Sequence, residues 1–266
     1  MSRVAVKYAE IFRISLQNQM AYIYDQILRG IFFVVVMFVF VQLWRTTYGV
    51  TGAKSISGFA LQDMIWYLVM TETIALSTPR VHARISEEVV SGDLAYSLNR
   101  PFNYLGFHYF SMLGEVLVRA PVNFLIGAGV AYLLVGGFAF DWQGFGPVVF
   151  TFLLSLSIQF FMNGTIGLLA FWAEDVNGLF LLVNKAQWIL GGMLLPIDIF
   201  PEALARVAEA LPFKHLMYGP AKLMVKYSWA EFLIVVKGQV LWLAVFGVIA
   251  ALVYRRGVSR VNVNGG

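Results

Sequence analysis

The sequence predicts an all-α membrane protein with about six spanning helices, organised as one transmembrane domain over residues 1–266. Three observations carry that prediction. Of the 266 residues, 59% are hydrophobic and 13% charged, about half the charge of an average soluble domain, and the mean hydropathy is +0.74. The apolar residues gather into runs close to the ~20 residues that a helix needs to cross hydrocarbon. The charged residues collect in the short segments between those runs.

Residues 1–26 hold Arg3, Lys7, Glu10, Arg13 and Asp25, with no apolar run ahead of a small-residue cleavage site, so no cleavable signal is expected there. Within them Tyr8, Ile11, Phe12 and Leu16 fall on one helical face and Lys7, Arg13, Gln17 and Asn18 on the other. That pattern predicts a helix lying in the membrane interface. The first span covers residues 27–44, and Arg45 with a Gly/Ser/Thr-rich loop to Leu61 ends it. The second covers residues 62–78. After it, Arg80, Arg84, Glu87, Glu88, Asp93 and Arg100 form the densest charge cluster in the chain, closed by Pro101.

The third span is drawn from residues 104–135, and Gly136, Gly137, Asp141 and Gly144 mark a turn. The fourth covers residues 148–171. A brief polar break, Glu174 to Gly178, turns the chain into a fifth span over residues 179–195. Pro196, Pro201, Pro212 and Pro220 then divide residues 196–230 so that no single helix can cross there. The last span covers residues 232–254, followed by Arg255, Arg256 and Arg260.

Lys and Arg near span ends set the orientation. With a cytoplasmic N-terminus the inner set is Arg3, Lys7, Arg13, Arg29, Arg80, Arg84, Arg100, Arg255, Arg256 and Arg260; the outer set is Arg45, Lys54, Arg206, Lys214, Lys222 and Lys226. The bias puts both termini and the charged loop at residues 79–103 in the cytoplasm, with the proline-divided segment outside. The net charge of +4 is scattered around apolar spans and not gathered on one polar face, which argues against nucleic acid as a partner.

No enzyme constellation is present in the sequence, so neither a catalytic residue nor a cofactor or metal site is expected in this chain. Cys is absent, which removes disulfides, thiolate metal sites and Cys nucleophiles. His82, His108 and His215 have no metal-ligand spacing to carboxylates. In Gly49-Val50-Thr51-Gly52-Ala53-Lys54-Ser55, Ala53 stands where a phosphate loop needs glycine before its lysine. The glycosylation triplet Asn163-Gly164-Thr165 lies inside a span.

Ionisable residues within spans each cost about 2.5–3.5 kcal/mol at a helix centre unless paired or wet. Glu115 and Arg119 are four apart with the acid first, so they can satisfy each other on one helix face. Glu72, Lys185 and Lys237 have no such neighbour, and three environments are open to them: a partner on another helix, an interface reached by snorkelling, or a polar cavity. Aromatic residues of the first, second and fifth spans, including Phe32, Phe33, Phe38, Trp66, Tyr67, Phe180 and Trp188, suit an apolar cargo and equally suit packing or lipid contact.

In the charged loop, residues 85–98 read as a short amphipathic helix, a break at Gly92, and a second short turn. Val89, Val90, Leu94 and Leu98 form an apolar ridge rimmed by acids, the pattern of a docking helix.

Here the sequence resembles the membrane subunits of type-2 ABC exporters, a family that moves drugs, lipids and polysaccharides. The resembling residues are Ile85-Ser86-Glu87-Glu88, Ser91-Gly92-Asp93-Leu94 and Leu98-Asn99-Arg100-Pro101, followed after the fifth span by Gly191-Gly192-Met193-Leu194-Leu195-Pro196, Phe200-Pro201, Leu211-Pro212-Phe213 and Tyr218-Gly219-Pro220. The resemblance implies that the first group forms a coupling helix against a separate ATPase, with Glu87, Glu88, Gly92, Asp93, Leu94 and Arg100 as its contact residues. It implies that the second group makes short helices that re-enter the outer leaflet. It further implies a second permease subunit, identical or paralogous, with ATP and Mg bound only in the partner ATPase, and a substrate cavity including Phe32, Phe33, Trp66, Phe180 and Trp188. The cargo would be apolar or amphipathic: a drug, lipid, glycoconjugate or peptide. Two other classes stand beside this reading: an ion-coupled secondary transporter resting on the intramembrane charges, and a membrane scaffold that moves nothing.

Overall fold

The computed structural model describes residues 3–137 and 142–264, so Asp141 of the expected turn lies outside the described residues. Twelve α-helices follow one another among them, with no named strand: α1 (Arg3–Ala21), α2 (Ile23–Thr51), α3 (Leu61–Ser77), α4 (Val81–Ser91), α5 (Leu94–Leu98), α6 (Tyr104–Val135), α7 (Trp142–Leu168), α8 (Asn177–Leu190), α9 (Glu202–Ala210), α10 (Phe213–Leu216), α11 (Tyr218–Val225) and α12 (Trp229–Asn264).

Among the described residues, four helical segments are long and apolar enough to cross a membrane: Ile23–Thr51, Tyr104–Val135, Trp142–Phe171 and Trp229–Arg260. Helix α3 has 17 residues and α8 only 14. At ~1.5 Å per residue α8 reaches about 21 Å, short of the ~30 Å hydrocarbon thickness. The helical part of the expected fifth span therefore ends at Leu190 and not at residue 195. The helix stops at Gly191, and Gly192 takes the left-handed φ of +72° that favours glycine.

Two further bounds differ from expectation. Helix α2 continues through Arg45 to Thr51, because the hydroxyls of Thr46, Thr47 and Thr51 donate to carbonyls four residues back and Arg45 donates to Leu134 O. Helix α12 extends past the expected end at Tyr254 through Arg255, Arg256 and Arg260; Tyr254 stacks on Tyr104, and Arg260 lies 5.1 Å from the Trp172 ring centroid.

Contacts fix the helix directions. Gln26 meets Asn123 and Arg45 meets Leu134, so α2 and α6 run parallel. Ser77 meets Asn123 and Trp66 meets Gly136, so α3 runs against both. Gly144 lies against Tyr227, Thr151 against Gln239 and Phe171 against Gly257, so α7 and α12 are parallel. One end of the bundle therefore carries α4, α5, the start of α6 and the end of α12; the other carries α9 and the loop before α3.

Buried residues of α2 (Gln26, Gly30, Phe33, Met37, Val41, Trp44 and Tyr48) recur every three or four positions, the spacing of one helical face. A polar chain joins three helices inside this core. Gln26 Nε2 donates to Asn123 Oδ1 at 2.9 Å, and Asn123 Nδ2 donates to Ser77 Oγ at 3.1 Å. Such interhelical bonds contribute about 0.6–2 kcal/mol each in a bilayer.

Helix α1 lies along the first half of α6. Lys7 Nζ donates to Pro101 O, Tyr8 stacks on Phe110, Ser15 and Ser111 hydroxyls pair at 2.9 Å, and Gly114 gives room for the α1 backbone at Phe12 and Leu16.

Candidate functional site

Helix α4 owes its place to small residues on α7. A Cβ on Gly167 would lie 2.7 Å from His82 O, so only glycine lets the two backbones approach this closely. Val81, Ile85 and Leu94 are buried, and Val89 and Leu98 half-buried, in a cluster with Tyr104, Met112 and Phe160. Gly92 ends α4 at φ +82° with open space around it, Ser91 Oγ donates to Asp93 Oδ2, and α5 follows. Asn103 Oδ1 accepts from Gly106 N at 2.8 Å and starts α6.

The apolar ridge expected to dock a partner is thus corrected. Leu94, with Val89 and Leu98, turns inward onto the chain's own core, where their burial fastens α4 and α5 to α6 and α7. What remains exposed is Glu87, Val90, Gly92, Asp93, Tyr96 and Arg100, with Val90 at 61% and Tyr96 at 74%. Glu88 is half-buried and faces α6, its Oε2 lying 3.4 Å from His108 Nε2. Burial raises the Glu88 pKa, but His108, Tyr104 and Arg100 reverse this and hold the carboxyl below its ordinary value.

His82 stacks on Phe180 with ring centroids 3.4 Å apart, which ties α4 to the start of α8. Burial, with Arg80 nearby, lowers its pKa to about 4, so the imidazole in this stack is neutral at pH 7.

Glu115 and Arg119 pair as their spacing predicts, at 3.1 Å, and Arg84 of α4 completes the group. Arg84 grips both Glu115 oxygens, with Nη2 to Oε2 at 2.8 Å, while Arg119 also donates to Gln19 Oε1 of α1 at 3.1 and 3.2 Å. The group joins three helices, α4 and α6 at the carboxylate and α1 through Gln19. Arg84 is 31 residues from Glu115, and no local pattern in the sequence joins them.

The other intramembrane charges do not meet. Glu72 sits on α3, buried at 5% exposed; Lys185 is exposed on α8 over the Trp188 ring, 3.9 Å from its centroid; Lys237 is exposed on α12. Nor do the five aromatic candidates line one cavity. Phe33 and Trp66 are buried in the core, Phe32 is exposed, Phe180 covers His82, and Trp188 lies under Lys185. A cavity of about 550 Å³ lies elsewhere, with an apolar lining that includes Phe12, Leu113, Leu117, Phe124 and Phe152.

A second constellation closes the break after α8. Tyr67 donates to Gly192 O, Thr71 to Met193 O at 2.8 Å, Ser155 to Leu216 O, and Gln239 to both His215 O and Thr151 O at 2.9 Å. Non-helical backbone at membrane depth persists only where protein or water satisfies it, and side chains of α3, α7 and α12 do so here. Sequence reasoning did not connect these residues, although polar side chains recurring inside apolar spans were the available signal.

An apolar bundle with interior-satisfied broken helices and a folded, charged platform at one end defines a multi-pass helical membrane protein. A sequence model described as ABC-2 family transporter protein matches residues 35–265, and the chain belongs to that family. Membership makes it an ABC transporter permease, the kind of subunit that works with ABC ATPases. No curated protein matches the chain.

Proposed function

We propose that this permease crosses the inner membrane six times, with both termini in the cytoplasm, and exports an apolar or amphipathic substrate when a separate ATPase binds and hydrolyses ATP with Mg. The chain works as one domain over residues 1–266, and the hydrolysis chemistry belongs to the partner. Helices α3 and α8 supply the two short crossings. Residues 1–26 form the interfacial helix, residues 79–103 the coupling loop, and residues 196–230 the external re-entrant segment. The alternating directions of α2, α3, α6, α7, α8 and α12 agree with this topology.

The observation that carries the reading is the α4–Gly92–α5 platform. It is anchored to α6 and α7 by its buried side and presents Glu87, Val90, Asp93, Tyr96 and Arg100 outward. Movement of the ATPase against that outer face would reach α6 through Arg84–Glu115, α7 through Gly167, and α8 through His82–Phe180. A second permease subunit would cover the exposed face of α8, where Lys185 needs water or a partner. Glu72 is buried while Lys185 and Lys237 are exposed, and no ion pair joins them among the described residues, which favours the ABC reading over the relay of an ion-coupled carrier.

The test is affinity purification of the tagged chain from native membranes. A P-loop ATPase is expected to co-purify and to be lost from a Val90→Asp, Tyr96→Ala double variant that still inserts. Absence of any such ATPase from the wild-type sample would overturn the assignment. Retention by the double variant would overturn the role of this face.

A further inference from the structure

Beside the Arg84–Glu115–Arg119 group lies a polar cavity of about 300 Å³. Ser15, Asn18 and Gln19 of α1, Tyr22 between α1 and α2, and Ser111 of α6 form the rest of its wall. Two guanidiniums face one carboxylate, which leaves one positive charge without a counter-ion in the cavity. Glu88, four residues along α4, also acts on Arg84 but lies outside the cavity and is shared with His108 and Arg100, and Arg29, which acts on Arg119, is matched by Asp25 at 2.9 Å.

Donors are also in surplus. Both Glu115 oxygens and Gln19 Oε1 are occupied by guanidinium hydrogens, whereas Arg119 Nη1 and Arg84 Nε make no hydrogen bond among the described residues. The Ser15–Ser111 pair has one hydroxyl hydrogen left over, and Asn18 contributes an amide. A cavity rich in donors, with net positive charge and room for several oxygens, fits a phosphate group.

Its depth indicates where that phosphate comes from. The wall lies where α1 gives way to α2, just before the chargeless run from Gly30 to Trp44, and α6 carries no charge after Arg119. Tyr22 and Tyr24, 67% and 79% exposed, stand at the same level, the position that amphipathic rings take among lipid headgroups. Basic pockets between helices at this level suit anionic headgroups.

We propose that this cavity binds a phosphate group between Arg84 and Arg119, and that the group belongs to an anionic phospholipid of the leaflet at the α4 end. Because Arg84 is on α4 and Gln19 on α1, the bound headgroup would clamp the platform to α1 and α6.

The full-length chain in neutral detergent is titrated with dioctanoyl phosphatidylglycerol, dioctanoyl phosphatidylcholine or inorganic phosphate, with thermal unfolding as the readout. Phosphatidylglycerol is expected to raise the melting temperature, and the other two to do so far less at equal concentration. Arg119→Gln should weaken the phosphatidylglycerol response by about tenfold or more in concentration, the loss expected for charge-assisted hydrogen bonds. Asn18→Asp, which leaves the Arg–Glu group intact and adds a negative charge to the exposed wall, should do the same even if Arg119→Gln fails to fold. Equal responses to phosphatidylglycerol and phosphatidylcholine, or an undiminished response in Asn18→Asp, would overturn the site. A response to inorganic phosphate matching that to phosphatidylglycerol would overturn the lipid as its source.

Discussion

Gly167 and Gly164 are three residues apart on α7 and both approach α4, yet a methyl group on each meets different surroundings. On Gly164 a Cβ would find only Ile85 Cδ1 at 3.7 Å, an ordinary contact; on Gly167 it would lie 2.7 Å from His82 O and 2.9 Å from Ile85 Cβ. Ordinary contact begins near 3.4 Å, so α4 would have to retreat by about 0.7 Å, and a backbone oxygen offers no flexible end that could yield instead. Alanine gains up to about 1 kcal/mol over glycine in a helix interior at both positions, so that term cancels in the comparison. Overpacking adds about 1–3 kcal/mol of cost at Gly167 alone. Gly164→Ala should therefore be neutral or stabilising, and Gly167→Ala less stable than Gly164→Ala by that 1–3 kcal/mol. Unfolding by SDS titration in mixed micelles measures the difference. Equal stability of the two variants, within about 0.5 kcal/mol, would refute the account of how α4 is seated.

Two further outcomes are expected. Gln239→Leu removes the donor to His215 O and Thr151 O; because Gln239 Oε1 is itself buried without a partner, the loss should fall near the lower end of about 1–3 kcal/mol in the same titration, and no loss at all would mean that these bonds do not hold the re-entrant backbone. For His82 the sign follows from a folded pKa of about 4 against an ordinary 6.5. Between those values the unfolded chain takes up a proton that the folded chain refuses, so this residue's contribution is complete above pH 6.5 and is lost as pH falls toward 4. His82→Phe keeps a ring against Phe180 and should lose less stability than wild type between pH 7 and pH 5; a steeper loss in the variant would contradict the neutral stack.

Periodicity made the long helices legible, since α2, α6, α7 and α12 each exceed the bilayer's requirement and leave the alternatives little room. The Gly92 break and the proline-divided segment were legible for a related reason: glycine and proline constrain the backbone locally, whatever surrounds them. Glu115 and Arg119 could be paired because helical geometry alone brings them together. Arg84 could not be added to them, and neither could Tyr67, Thr71, Ser155 and Gln239 be matched to the carbonyls they hold, because those partners are set by tertiary packing. The inward turn of Leu94 was illegible for the same reason. An apolar ridge beside acids reads identically whether it awaits a partner or is already covered by its own chain.

The short α8 has a consequence for how the protein is made. A membrane inserts a segment unaided when that segment is long, apolar and able to satisfy its own backbone, and α8 meets none of these conditions well: 14 residues, an exposed Lys185, and a C-terminal break where Gly192 O and Met193 O take their donors from Tyr67 and Thr71 of α3. Further along the same stretch, His215 O takes its donor from Gln239 of α12. Residues 177–228 therefore cannot reach their final arrangement before α12 has been made, and until then they depend on the insertion machinery or on water to satisfy what the folded bundle satisfies for itself.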